Sequence, residues 1–241
     1  MLAGMSKSFI WVTSTLGGLG KTSLSAALWR LSMHGMLPKC QILDLDSSPR
    51  LGSMNGSTSD VWRSNTERAR GLIETMLASE SDVVIINFPA GSADLLREVP
   101  DERYLRRLGK QRRIAQVHFV DPSAATNEVY LAFNENNALY ASATAHFAVV
   151  PEHRMSPSAN LPNPLPWEQY VDATLNYPSW GITQPSDVVS AVLEGRDTSK
   201  RLVELVLDMW LADVAEAFSP LITWLDSEKL RNKNKKEPAH E

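Results

Sequence analysis

Only one cysteine, Cys40, occurs among the 241 residues. That excludes an internal disulfide and a cysteine-only zinc or iron–sulfur site within one chain. Such sparing use fits a reducing compartment, and a cytoplasmic location is the expectation. The five histidines show no metal-ligand spacing. No run of about 18 apolar residues occurs, so no spanning helix and no integral membrane association are expected. The opening residues reach Gly17 before a long apolar run develops, which argues against a signal peptide. Basic charge is not in excess either. The 24 Lys and Arg face 28 Asp and Glu, for a formal net charge of −4. Any surface that attracts nucleic acid must therefore be local. No internal repeat is visible.

What is present is an alternation of short apolar runs and helical patterns. With 43% hydrophobic residues, 241 residues suffice for one large α/β core. Strands are expected at "SFIWVTS", "CQILDLD", "DVVIINF", "RIAQVHFV" and "AHFAVV". Between the first two, Leu24, Ala27, Leu28 and Leu31 recur at helical spacing, and Gly35 is a natural stop. Further helices are expected from about Trp62, within residues 124–139, and around residues 185–195. Strands alternating with helices imply right-handed crossovers and a mostly parallel, doubly wound sheet flanked by helices. Residues 151–170 are proline-rich and read as an ordered surface loop or lid. A long helix is expected from about Thr198, with Leu202, Leu205, Val206, Met209, Trp210 and Val214 as its apolar stripe. Pro220 should kink or divide it. Residues 1–225 read as a single nucleotide-binding domain, and residues 226–241 as a disordered basic tail.

The sharpest local signal is "LGGLGKTS", residues 16–23, between the first strand and the first helix. A strand, a glycine turn and Lys-Thr-Ser opening a helix form the context of a phosphate-binding loop. Glycines let backbone N–H groups face an anion, and the helix N-terminus adds partial positive charge. The binding set would be Gly17, Gly18, Leu19, Gly20, Lys21, Thr22 and Ser23. Lys21 would meet the β- and γ-phosphates, Thr22 a Mg²⁺ ion, and Ser23 the α-phosphate region. The ordinary loop carries glycine where Thr15 stands, so this is a variant.

The variant resembles the deviant Walker A loop, K-G-G-x-G-K-T, of the ParA/MinD superfamily of P-loop ATPases. Two further motifs follow in family order. "ILDLDSSPR" is similar to the second strand and first switch, with Asp44 and Asp46 at the acidic positions. "VVIINFPAG" is similar to the strand that ends in Asp-x-Pro-Ala-Gly, with Asn87 in place of the Asp. The resemblance covers about residues 8 to 92. It implies a doubly wound sheet with ATP or ADP at its C-terminal edge, and often an ATP-dependent homodimer. It also implies a role in plasmid or chromosome partition, cell-division positioning or conjugative transfer. Asp44 and Thr22 would hold the magnesium. Asp46 would lie near the attacking water, making it and Lys21 the catalytic pair, or it would cap the following turn. Gly91 would turn its N–H towards the γ-phosphate, or simply end a buried strand.

Two departures bear on turnover. In the family the first lysine of the loop reaches the partner subunit's phosphates, but Leu16 carries no charge. The family's acid in the third motif orders magnesium, but Asn87 has no formal charge. A positioned cation on transferred phosphate is worth about 10³–10⁵ in rate, judged from arginine fingers. A nucleotide-dependent switch with weak ATPase activity is therefore expected. A nonhydrolytic protein that binds a partner is the alternative. Arg103, Arg106, Arg107, Lys110, Arg112 and Arg113 form a basic cluster that reads either as a nonspecific DNA contact or as a solvated helix face. A protein adaptor is the remaining partner that the resemblance implies.

Overall fold

The computed structural model describes residues 8–45, 51, 57–59, 81–91, 112–122, 132–133, 138–155, 165, 167–179 and 201–236. The elements below are numbered in chain order among these residues. Strand β1, Ser8–Ser14, is buried along its whole length. Such a strand needs apolar side chains on both faces, which is why its sequence shows a continuous run and no alternation. β2 is Cys40–Asp44, β3 Ser57–Ser59, β4 Val83–Asn87, β5 Arg113–Phe119, β6 Ala145–Pro151 and β7 Ala173–Tyr177. They form one sheet in the order β3-β2-β4-β1-β5-β6-β7. Every pairing is parallel. β1 is central, with β2 to β4 on one side and β5 to β7 on the other. The connections thus change direction at β1, and a ligand crevice forms outside the C-terminal ends of strands at such a switch point.

Helix α1, Lys21–Met33, follows β1 directly. It ends as its glycine predicts. Gly35 has φ +76°, its N–H donates to Ser32 O at 3.0 Å, and Met36 N–H donates to Leu31 O at 2.9 Å. These two bonds are a Schellman motif. α1 packs on one sheet face with helices α3, Arg201–Ala217, and α4, Ser219–Lys236. Ile10, Val12, Ala115, Val117, Phe119, Val149, Leu175 and Tyr177 supply the strand side of that core. The opposite face carries Val120, Phe133, Ala148, Val150 and Trp167, with Tyr140 of the short helix α2, Ala138–Ser142, packed against them.

The five expected strands are all present, and the doubly wound parallel architecture is as expected. β3 and β7 are additions: β3 is a polar Ser-Thr-Ser segment, and β7 follows the proline-rich stretch. The α3 stripe is partly misphased. Trp210 and Val214 are buried, but Leu205 and Met209 are 56% and 61% exposed, while Leu211 and Phe218 face the core instead. Pro220 divides the helices as expected, standing in the first turn of α4, where its missing N–H costs least. α4 continues to Lys236, into the stretch expected to be a disordered tail. Its Lys, Glu, Leu and Asn residues hold no helix breaker until Pro238. Residues 237–241 lie outside the described set, as do the helix expected from Trp62, that around residues 185–195, and residues 124–131. Among the described residues no helix is long and apolar enough to cross a membrane.

Candidate functional site: a glycine loop at the switch point

The loop between β1 and α1 occupies the switch point. Gly18 and Gly20 have φ of +74° and +107°, conformations that L side chains rarely adopt. Gly20 caps α1 without any side-chain bond, and its carbonyl accepts Leu24 N–H at 2.9 Å. Lys21 is only 5% exposed, and its Nζ donates to Ser14 Oγ at 2.9 Å. Ser14 Oγ in turn donates to the Leu16 carbonyl at 2.7 Å. The lysine is therefore held against the inside of the loop, where an anion seated on the glycines would meet it. The Leu16 side chain projects into solvent, 39% exposed.

Parallel pairing brings the other two motifs to the same place. β4 lies between β1 and β2, and Asp44 and Asn87 are register partners at the strand ends. Both are fully buried. Asn87 Nδ2 donates to Asp44 Oδ1 at 2.9 Å and lies 3.4 Å from Thr22 Oγ1. Asp44 Oδ2 accepts Leu51 N–H at 3.0 Å. The magnesium that the resemblance implies would need oxygen donors in the space between Thr22 and Asp44. An amide nitrogen occupies that bridging position, and its hydrogens cannot ligate a cation. The residues present do not fit a resident divalent ion. Among the described residues no group of three or more His, Cys, Asp or Glu converges for a metal.

Gly17 lies beside the third motif, since a Cβ added to it would stand 3.9 Å from Ala90 Cβ. Gly91 has φ +73°, and its N–H donates to Ser14 O at 3.0 Å. That hydrogen is thus committed to the end of β1 and does not point at a γ-phosphate. Ser23 Oγ donates to Gly20 O at 2.9 Å and accepts from Tyr177 Oη at 3.0 Å. Leu19 is buried in the core under the loop. Asp46, Arg103, Arg106, Arg107 and Lys110 lie outside the described residues. Arg112 and Arg113 lie at the N-terminal end of β5, opposite the loop edge. Arg113 donates to the Trp224 carbonyl and to Ser227 Oγ, and its guanidinium lies 4.1 Å from the Trp224 ring centre. It is a link between β5 and α4.

Three neighbours of the loop were not anticipated in these positions. Tyr177, at the end of β7, packs under Gly20, where a Cβ would come within 2.9 Å of its ring. Arg154, in the turn after β6, places its guanidinium 3.8 Å from where a Cβ of Gly18 would stand. Next to it, His153 makes a backbone hydrogen bond with Gly18. Partial burial and the Arg154 cation hold its imidazole below the ordinary value, against the opposite pull of that bond and of Asp121. Beneath the site His118 is fully buried, bonded through Nδ1 to Thr13 Oγ1 at 2.8 Å. Burial and the Lys21 charge push its pKa down to about 3, so it stays neutral. The basic "HR" pair just after a strand end was a readable cue for the contacts of Arg154 and His153. Nothing local marks Tyr177.

No protein-family model and no curated protein matches the sequence. Solved structures do match the fold. A candidate plasmid partition protein from Borrelia burgdorferi, bound to AMPPNP, superposes with a TM-score of 0.52 at 13% identity, over 86% of this chain and 98% of that one. A nucleotide-binding protein from Archaeoglobus fulgidus, in complex with ADP, gives 0.50 at 16% identity, over 77% and 85%. The MinD cell division protein of Aquifex aeolicus gives 0.46 at 14%, over 84% and 95%. At these identities the likeness concerns architecture. The chain shares its fold with the Borrelia plasmid partition and Archaeoglobus nucleotide-binding proteins.

Proposed function

We propose that the chain binds ATP or ADP at the glycine loop and works as a nucleotide-dependent switch with weak ATPase activity. The observation that carries this reading is the buried Lys21 ammonium, held by Ser14 inside a loop with two left-handed glycines at the N-terminus of α1. The lysine ammonium adds to the positive end of the helix dipole, and an anion seated on the loop would meet both. Phosphate oxygens would replace the Ser14 hydroxyl as the lysine's partner. Arg154 beside Gly18 places a second cation of the same chain next to the loop. The ADP and AMPPNP in the two structural neighbours support an adenine nucleotide.

Hydrolysis is another matter. Asn87 cannot take a proton or carry the negative charge that its counterpart supplies, and Leu16 stabilises no transition-state charge. The same two residues favour the second reading, a nonhydrolytic protein that keeps the nucleotide and acts through a partner. Self-association, nonspecific DNA and a protein adaptor belong to either reading, within plasmid or DNA segregation or conjugative transfer. Calorimetric titration of wild type and Lys21→Ala with ATP and ADP is the test. Loss of charge-assisted bonds worth about 1.5–3 kcal/mol should weaken affinity by about tenfold to a hundredfold. Equal affinity in the variant would end the phosphate-loop reading.

A further inference from the structure

We propose that the Asn87 amide stands in for the divalent cation at this site, so that the chain binds its nucleotide without one. The inference rests on the nucleotide reading above and concerns what that nucleotide requires. Asp44 and Asn87 face one another in register on neighbouring strands, both with no solvent exposure. Were both carboxylates, two like charges would lie about 3 Å apart in a buried place, which only a cation or a proton could relieve. A neutral amide removes that demand. Its Nδ2 donates to Asp44 Oδ1 at 2.9 Å and reaches towards Thr22 Oγ1 at 3.4 Å. The other Asp44 oxygen takes Leu51 N–H at 3.0 Å. The bridge from the loop threonine to the second-motif acid is thus made by N–H groups.

The orientation of the amide follows from chemistry. The reverse orientation would set the Asn87 oxygen against the Asp44 oxygen, acceptor to acceptor. The present one keeps the bond to Asp44 and leaves Asn87 Oδ1 buried without a hydrogen-bond partner. A cation entering between Thr22 and Asp44 would require the amide to turn over and forfeit its bond to the carboxylate. From the protein such an ion would gain one carboxylate and two neutral oxygens, and its remaining ligands would have to come from phosphate and water.

The test is ADP titration of wild-type protein in excess EDTA and in excess Mg²⁺, with thermal unfolding of nucleotide-free wild type and Asn87→Asp, with and without Mn²⁺. The expected result is an ADP affinity that differs by less than about threefold between the two media. Mn²⁺ should leave the wild-type midpoint unmoved and raise that of Asn87→Asp, where the second carboxylate creates the site. A wild-type affinity more than about tenfold weaker in EDTA would overturn the inference. So would Mn²⁺ stabilisation of the wild type, or a variant no more responsive to Mn²⁺ than the wild type. Absence of ADP binding in both media would instead refute the nucleotide reading, and the Mn²⁺ response would still decide the role of Asn87.

Discussion

Gly20→Ala should be among the most damaging single-methyl changes in this chain. Gly20 has φ +107°, which strains any L side chain by about 1–2 kcal/mol. Its new Cβ would stand 2.9 Å from Tyr177 Cε1, 3.4 Å from Tyr177 Cδ1 and 3.5 Å from Phe119 Cε1. Tyr177 cannot give way. Its ring meets Phe119, Trp210 and Phe218 edge-on at 5.5, 5.9 and 6.1 Å, and its hydroxyl is tied to Ser23. Overpacking of a tight core costs about 1–3 kcal/mol, so the total is about 2–5 kcal/mol. Gly35→Ala is the internal control. It has φ +76° but nothing within 4 Å of the added Cβ, so only the strain of about 1–2 kcal/mol applies. Equilibrium urea denaturation of both variants reads the difference directly. If Gly20→Ala costs no more than Gly35→Ala, Tyr177 does not buttress the loop and the packing account of the site is wrong.

Steady-state phosphate release by the wild type should sit close to the Lys21→Ala background, and Leu16→Ala should not change it; a wild-type rate far above that background would show that another residue supplies the missing charge. Arg113→Ala should lower stability by about 1–3 kcal/mol, because it breaks two hydrogen bonds and a cation–π contact to α4; unchanged stability in denaturant would show that this link does not hold α4 to β5. Stability should also fall with acid. His118 and His146 have pKa values pushed down by burial to about 3 and about 4, below the unfolded value of about 6.5. The unfolded chain therefore binds more protons as pH drops below 6.5, and stability present at neutral pH is lost progressively from there towards the folded values. By pH 5.5 the loss should be on the order of 1 kcal/mol for His118, and less for half-buried His146. A flat denaturation profile from pH 7.5 to 5.5 would show that neither imidazole is shielded.

The parts of the fold that the sequence made legible share a physical cause. β1, β2, β4, β5 and β6 are buried on both faces, so each leaves an apolar run that no helix or loop would need. β3 has three polar residues, and β7 has alternate residues partly open to solvent, so neither leaves such a run. The α3 phase was misjudged because its buried face depends on α1, β7 and α4, partners that periodicity alone does not specify. At the site, the meeting of Lys21, Thr22, Asp44 and Asn87 was foreseeable, because each closes or follows a strand of the same sheet. The contacts that set their chemistry were not. Tyr177 lies 154 residues from the serine it holds. Arg154 reaches Gly18 only because β6 returns the chain to the same sheet edge. The substitution of Asn for Asp was visible, but the amide's bond to Asp44 requires the register.

Nucleotide binding at the glycine loop is tested most directly by following backbone amide resonances of the full chain while ADP is added. Gly17, Gly18, Gly20, Lys21, Thr22 and Ser23 should shift together and saturate with one affinity, since on the proposed reading their N–H groups would face the phosphates at the start of α1. Smaller shifts should appear at His153 and Arg154, which touch Gly18. The N-terminal end of β5, at the opposite edge of the sheet, should stay still. Loop resonances that remain unmoved at millimolar ADP, or shifts confined to surfaces away from the loop, would contradict the assignment.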